Sequence, residues 1–275
     1  MTISSFPPLS LDAWQPTRDT LNAYAKVLGK IRRALTPPQK HWWHVSLRPT
    51  ATGLTTTPMW AGTQAVELLL GLADHRLHVH TSRGAHAAFP LHGQAPADFC
   101  RQLTAVFSAL DIDVSFDPAP CDDARPGAYD ATAVSHFWHA LSQIDAIFKT
   151  FRHGFRGESS PVQLWPHHFD LALLWFSGRL VPGQDPTNEE YADEQMNFGF
   201  STGDAGIPEP YFYATAYPTP AGWTDAPLPA GARWHASSFT GAVLPYRVLT
   251  ETADPTQTLL AFLRTTHEAG KALMQ

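Results

Sequence analysis

One order of elements runs through this chain twice: a long amphipathic helix, a set of strands, then a second helix. Leu21, Tyr24, Ala25, Leu28, Ile31 and Leu35 recur at helical spacing across Thr17 to Leu35. Val134, Phe137, Trp138, Leu141, Ile144, Phe148 and Phe151 do the same across Tyr129 to Phe151. The first run closes on a short amphipathic stretch, Ala97 to Leu110, with Phe99, Leu103, Val106 and Phe107 on one stripe. The second closes after Asp254, an N-cap residue followed by Pro255 and then Leu259, Leu260, Phe262 and Leu263.

Between these helices the period changes to two. Trp43, Val45 and Leu47 alternate with His44, Ser46 and Arg48, and Leu77 and Val79 alternate with Arg76, His78 and His80. Ala65 to Leu72 is apolar apart from Glu67. In the second run, residues 162–176, Tyr211 to Tyr217 and the stretch from Trp234 onward take the strand positions. LHVHTSRGA (Leu77 to Ala85) lines up with WHASSFTGA (Trp234 to Ala242), and the first strand set of each run ends in a glycine turn, at Gly53 and Gly178. The pattern predicts an α+β chain of two similar α-β-β-β-α halves, with helices packed on antiparallel sheets and an internal duplication about a pseudo-two-fold. The halves span residues 1–117 and 129–275, joined by a Pro- and Asp-rich linker at 118–128, and are expected to form one compact module. Convergence of two ordinary antiparallel meanders would give the same pattern.

Composition narrows the function classes. Of 275 residues 44% are hydrophobic, enough for a sizeable core, and only 16% are charged. The net charge of -6 and the lack of any basic block argue against nucleic acid and anionic membranes as partners. No basic-then-apolar leader and no membrane-length apolar run is present, so a soluble, cytoplasmic protein is expected. Cys100 and Cys121 cannot form a disulfide framework or a cysteine-rich zinc site, and no activating base stands near Cys100. Nine Trp, 16 Phe and 14 His stand out; rings fill cores more often than they line pockets.

Strand parity selects candidate site residues. In KHWWHVSLRP, Trp42, His44, Ser46 and Arg48 fall on the face opposite the core, and an indole there suits a pocket wall better than open solvent. In VQLWPHHFDLALLWFSG, Phe169, Leu171 and Leu173 face the core while His168 and Asp170 share the other side. His44 with His168 and Asp170 is a ligand set suited to zinc, iron or manganese, or an acid/base group. Glu194 and Glu209 are further carboxylates. Glu209, Tyr211, Tyr213 and Tyr217 alternate onto one strand face able to grip a polar ligand. The plain alternative is a hydrogen-bonded His–Asp couple with no ligand. His136 and His139 read as a polar helix margin, and His78, His80 and His86 as exposed strand or turn positions.

GFSTG (Gly199 to Gly203) matches the G-x-S-x-G pattern of a hydrolase elbow, but DAGIPEPY follows it, and two prolines deny the helix that the mechanism needs. Phosphate-loop and dinucleotide fingerprints are absent.

The segments ALTPP with HWWHV, GLTT, SPV with FDLA and FSGR, PEPYFYATAYP and LPYRV resemble the landmarks of an uncharacterised bacterial domain family of unknown function, from Leu11 to about Ala272. The resemblance implies a single module and brings no activity. Its landmarks coincide with His44, Asp170, Glu194 and Glu209. It lacks a serine at the position of Ser201, and His167 and His168 depart from it. The expected function is an enzyme acting on a small polar or anionic molecule in an aromatic-walled cleft, metal-assisted or not. His44, Asp170, Glu194 and Glu209 would be its reactive groups, Arg48 its anion holder, and Trp42, Ser46, Tyr211 and Tyr213 its lining. A non-catalytic small-molecule binding module or an interaction scaffold are the alternatives.

Overall fold

A computed structural model describes residues 6–274 and shows an α+β chain with two antiparallel sheets. It divides into two compact units. The first comprises Trp14–Trp138 with Gln163–Phe169, and the second comprises His139–Val162, the chain from Asp170 onward and the described residues before Trp14.

Helix α1 (Leu11–Leu35), which lies in the first unit from Trp14 on, starts six residues before the periodic stripe and carries Pro16 in its second turn, where the ring leaves the Asp12 carbonyl without its helix N–H. Its stripe is the expected one: Leu21, Tyr24, Leu28 and Ile31 are wholly buried. Strands β1 (Arg48–Pro49), β2 (Gly53–Thr55), β3 (Met59–Ala61), β4 (Gln64–Gly71), β5 (Arg76–Thr81) and β6 (His86–Pro90) form a sheet in the order β1-β2-β4-β5-β6, with β3 also paired to β4. Helix α2 (Pro96–Ala109) packs Phe99 edge-on against Phe89 of β6 and face-to-face with Tyr24 of α1. The segment 118–128 belongs to this unit. It is tied by a Cys100–Cys121 disulfide, a bridge that the sequence reading did not foresee, and by the bond from the Gly127 N–H to the Gly93 carbonyl. Helix α3 (Ala131–His153) begins here and continues into the second unit from His139. The short strand β7 (Gln163–Trp165) completes the first unit, with Leu47 and Leu164 exchanging both backbone bonds.

The second unit holds β8 (Asp170–Leu180), β9 (Asp193–Ser201), β10 (Tyr211–Tyr217), β11 (Arg233–His235) and β12 (Gly241–Pro245), ordered β11-β12-β10-β9-β8. Register decides its core. Leu171, Leu173 and Trp175 of β8 stand beside Phe200, Phe198 and Met196 of β9, which stand beside Phe212, Ala214 and Ala216 of β10. This apolar face packs on Phe148 and Phe151 of α3, and helix α5 (Pro255–Leu273) lies against β9 and β10. As expected, Asp254 caps α5 by accepting from the Gln257 N–H. The short helix α4 (Arg247–Glu251) links β12 to α5.

The helix–strands–helix order is therefore run twice, with more strands per run than three. The two hairpins that looked alike differ in their sheets: β5, the first strand of its pair, joins the neighbouring strand β4, whereas β12, the second of its pair, joins β10. Among the described residues no helix is long and apolar enough to cross a membrane.

Candidate functional site

The face of the second sheet opposite its Phe-rich core sets a row of polar groups among apolar ones such as Ala172, Leu174 and Phe176 of β8. Alternation puts Asp170 of β8, Gln195, Asn197, Gly199 and Ser201 of β9, and Tyr211, Tyr213, Thr215 and Tyr217 of β10 on it. Strands lie about 4.8 Å apart, so a tyrosine on β10 can reach β8 only by lying across β9. Gly199 permits this: a Cβ there would come within 2.2 Å of the Tyr213 Cζ and 2.3 Å of its hydroxyl. The Tyr213 ring lies flat over that glycine, and its hydroxyl donates to Asp170 Oδ2 at 2.5 Å. Burial first, then the Asp170 charge and that bond, hold the Tyr213 phenol well above its usual range, so it stays protonated and acts as a donor.

The Asn197 side chain lies beside the Tyr213 oxygen, where it lowers the phenol pKa against the larger raising effects. Tyr213 already spends its proton on Asp170, so the amide must approach with its NH2 group, which fixes the orientation of the side chain. The Asn197 carbonyl oxygen Oδ1 is then buried without a partner among the described residues. Two residues along the same face, Gln195 donates its NH2 to the Glu190 carbonyl at 2.8 Å and leaves its own Oε1 buried and unmet. Tyr211 donates to Asp204 Oδ2 at 2.7 Å and is raised by burial and by that carboxylate. Asp204 is itself held by accepting from the Gly206 and Ile207 N–H groups. Ile207, Val243 and Phe239 pack around these tyrosines.

The other acidic candidates stand apart from this network. Glu194 accepts two bonds from the Arg179 guanidinium, at 2.7 and 3.1 Å. Glu209 pairs with Arg247 at 3.4 Å, and both side chains are more than a third exposed. Surface pairs of this kind contribute about 0–1 kcal/mol. Ser201 ends β9, and the segment after it is a loop with Asp204 at its turn and no helix, so the elbow is ruled out as the sequence indicated.

In the first unit KHWWHV, Lys40–Val45, is a pair of short 3-10 turns joined across a kink rather than the start of a strand. His41 and His44 are buried, on either side of that kink. His41 and Trp42 adopt left-handed backbone (φ 52° and 58°), a cost of about 1–2 kcal/mol each that the surroundings sustain. His44 is buried and its Nδ1 accepts the Gln39 N–H at 3.1 Å. Trp42 is 38% exposed with the Arg33 guanidinium 5.2 Å from its ring centre. Ser46 is wholly buried, donating to Gln163 Oε1 at 2.7 Å and giving its carbonyl to Arg32. Arg48 opens β1, and its charge, after burial, pushes the Arg32 guanidinium down to about 10. His168 is exposed in the turn before β8. The strand begins only at Asp170, because Phe169 takes a left-handed backbone (φ 57°), so His168 has no strand face to share with it.

Sequence reasoning missed Asn197, Gln195 and Asp204. The alternation in DEQMNFGFS carried the first two, while the Gly206 turn that aims Asp204 has no periodic signal. It also set aside His78, His80 and His86, which converge until their ligating nitrogens lie within 4.8 Å of one another.

No curated protein and no solved structure matches the chain. A family model described as "Family of unknown function (DUF5996)" matches residues 6–275, and the chain belongs to that family.

Proposed function

We propose that this chain is a binding module for a small polar molecule, which is held on the Asp170–Asn197–Tyr213 face of the second sheet. One observation carries the reading. The face retains two buried acceptors, Asn197 Oδ1 and Gln195 Oε1, that no donor among the described residues meets. A buried acceptor left unpaired costs about 1–3 kcal/mol, and a ligand donor recovers it. The ligand chemistry follows from the sign of what is left over: hydroxyl, amine or amide N–H groups that reach Asn197 beside the Tyr213–Asp170 pair, with Gln195 two residues further along β9. Polyols, amino sugars and small amines fit this description, and free carboxylates and phosphates do not.

The enzymatic reading has one observation of its own, the short Tyr213–Asp170 couple, which could pass a proton to a bound substrate. Binding is the better reading, because burial keeps Tyr213 protonated and so suits it to holding a ligand rather than removing a proton. The test is a thermal-shift panel of polyols, amino sugars and diamines on the wild type and on Asn197→Leu. A hit that stabilises the wild type and leaves the variant unmoved supports the proposal. Hits that stabilise both proteins equally, or none across the panel, refute it.

A further inference from the structure

The three histidines of the β5–β6 hairpin lie outside the face just described, in the first unit. Val79 and Leu77 of β5 are wholly buried, so alternation turns His78 and His80 to the opposite face. Register then brings in a third ring: His86 is the cross-strand partner of His80, and its diagonal neighbour is His78. The rings are nearly parallel, with centres 4.5 Å (His80–His86), 5.4 Å (His78–His86) and 6.0 Å (His78–His80) apart.

Two features set this cluster apart from histidines that merely share a surface. His78 Nε2 lies 2.7 Å from Asp74 Oδ2. A carboxylate only accepts, so Nε2 carries the proton and the Nδ1 lone pair points at His86 Nε2, 3.1 Å away. A carboxylate behind an imidazole is the arrangement that orients metal-ligating histidines and makes them more basic donors. It is also built into the backbone: a Cβ on Gly71 would fall 2.2 Å from Asp74 Oδ1 and 3.3 Å from His78 Cδ2. The 3.1 Å nitrogen pair, moreover, approaches the edge of about 3.3 Å between two ligands of a tetrahedral ion at Zn–N of about 2.0–2.1 Å. His80 and His86 are exposed and can turn to close the remaining distance.

We propose that His78 Nδ1, His80 and His86 bind one divalent late transition-metal ion of the zinc type, with Asp74 as the positioning residue. Three imidazoles leave the fourth position open toward solvent, where water or an exchangeable ligand would sit. Glu67, directly across from His80 on β4, lies near enough to favour a positive charge there, while its own Oε1 accepts from Thr55. Burial, followed by repulsion from His86 and His78, lowers the pKa of His80, which favours the neutral ring with one N–H and one lone-pair nitrogen.

The experiment is a Co2+ titration of chelator-stripped protein at pH 7.5, followed by its visible absorption and by displacement with Zn2+. The expected result is one ion per chain with bands of low-symmetry, nitrogen-ligated cobalt. His80→Ala and His86→Ala should each weaken binding at least tenfold. Asp74→Asn should weaken it about tenfold while leaving the stoichiometry at one, as a partner behind a ligand does. A paired His136→Ala/His139→Ala variant on α3 should match the wild type, and so should Asn197→Leu, which keeps this test separate from the proposed binding face. Uptake well below one ion per chain, or wild-type affinity in both His80→Ala and His86→Ala, would overturn the proposal. Both side chains are exposed, so a folding failure is not expected to obscure the result.

Discussion

Gly199→Ala is the sharpest probe of the polar face, because it tests the contact that puts Tyr213 onto Asp170. The added methyl would overlap three atoms of the Tyr213 ring, at 2.2, 2.3 and 2.5 Å, so the ring must leave its place. Leaving breaks the bond to Asp170, and a hydrogen bond to a charged group contributes about 1.5–3 kcal/mol. It also costs ring packing against Phe239, whose centre is 6.4 Å away, worth about 0.5–1.5 kcal/mol. Alanine offsets part of this, since it is favoured over glycine within a strand by about 0.5–1 kcal/mol. The net destabilisation expected is about 2–3 kcal/mol. In a Tyr213→Ala background no ring stands over residue 199, so the same substitution should be neutral or stabilising by up to about 1 kcal/mol. The four proteins form a double-mutant cycle, read by urea unfolding with tryptophan fluorescence, with a coupling of about 3 kcal/mol. If Gly199→Ala costs the same in both backgrounds, to within about 0.5 kcal/mol, the glycine is not there for the tyrosine and the account of the face is wrong.

Other perturbations test separate parts of the chain. His267 sits among Phe155 (4.9 Å), Trp175 (4.8 Å), Phe151 and Phe198 (both 5.9 Å), and burial first, then Lys271, pushes its pKa down to about 4. A depressed histidine lets the unfolded chain bind the proton first. Stability should therefore be complete above about pH 6.5 and fall by up to ~3 kcal/mol as pH drops toward 4, and in His267→Phe this part of the acid limb should vanish from a pH series of urea midpoints. Reducing the Cys100–Cys121 bridge reopens a 21-residue separation in the unfolded chain and should cost about 3 kcal/mol, seen as a lower melting temperature with reductant that Cys100→Ser/Cys121→Ser already shows. The cytoplasmic expectation requires these thiols to be reduced in cells, which alkylation and mass spectrometry would reveal. Arg32→Ala should destabilise by about 1–3 kcal/mol, since the buried Ser46 carbonyl loses the guanidinium it accepts from.

Much of the fold was legible because core packing writes itself into periodicity. The stripes of α1, α2, α3 and α5 and the alternation of β5 and β10 all survive in the structure. What failed did so where the backbone breaks a period that the letters continue. HWWHV alternates as a strand would, yet left-handed backbone at His41 and Trp42 kinks it into two short 3-10 turns, which the letters alone do not show. His168 was lost for a similar reason: parity counted back from Leu171 assumes the strand extends that far, and Phe169 ends it. For the candidate site, Tyr211, Tyr213 and Asp170 were readable from parity, whereas Asn197 was passed over because β9 mixes Phe, Gly and Asn and had not been recognised as a strand. The histidine cluster had visible parity on β5. Its third member depends on the Ser82–Ala85 turn bringing His86 opposite His80, a register that composition does not encode.

The two proposed sites follow one physical rule applied to opposite signs. On the second sheet the tyrosine protons are consumed internally, Tyr213 by Asp170 and Tyr211 by Asp204, so what remains unmet is acceptor capacity, and the matching ligand must bring hydrogens. On the β5–β6 hairpin the carboxylate of Asp74 consumes the one N–H of His78, so what remains there is a lone pair, and the matching ligand must bring positive charge without a proton. In each case an aspartate fixes the state of its neighbour, and a glycine, Gly199 or Gly71, makes the room for it. This makes the conservative aspartate variants informative in opposite ways. Asp170→Asn can donate as well as accept, so it should let Tyr213 turn its proton toward a ligand and admit acceptor-rich compounds. Asp74→Asn can turn its own NH2 toward His78, so it should free the other tautomer and weaken only the metal. If Asp170→Asn leaves ligand preference unchanged while Asn197→Leu abolishes binding, hydrogen-bond sign does not select the ligand and shape does.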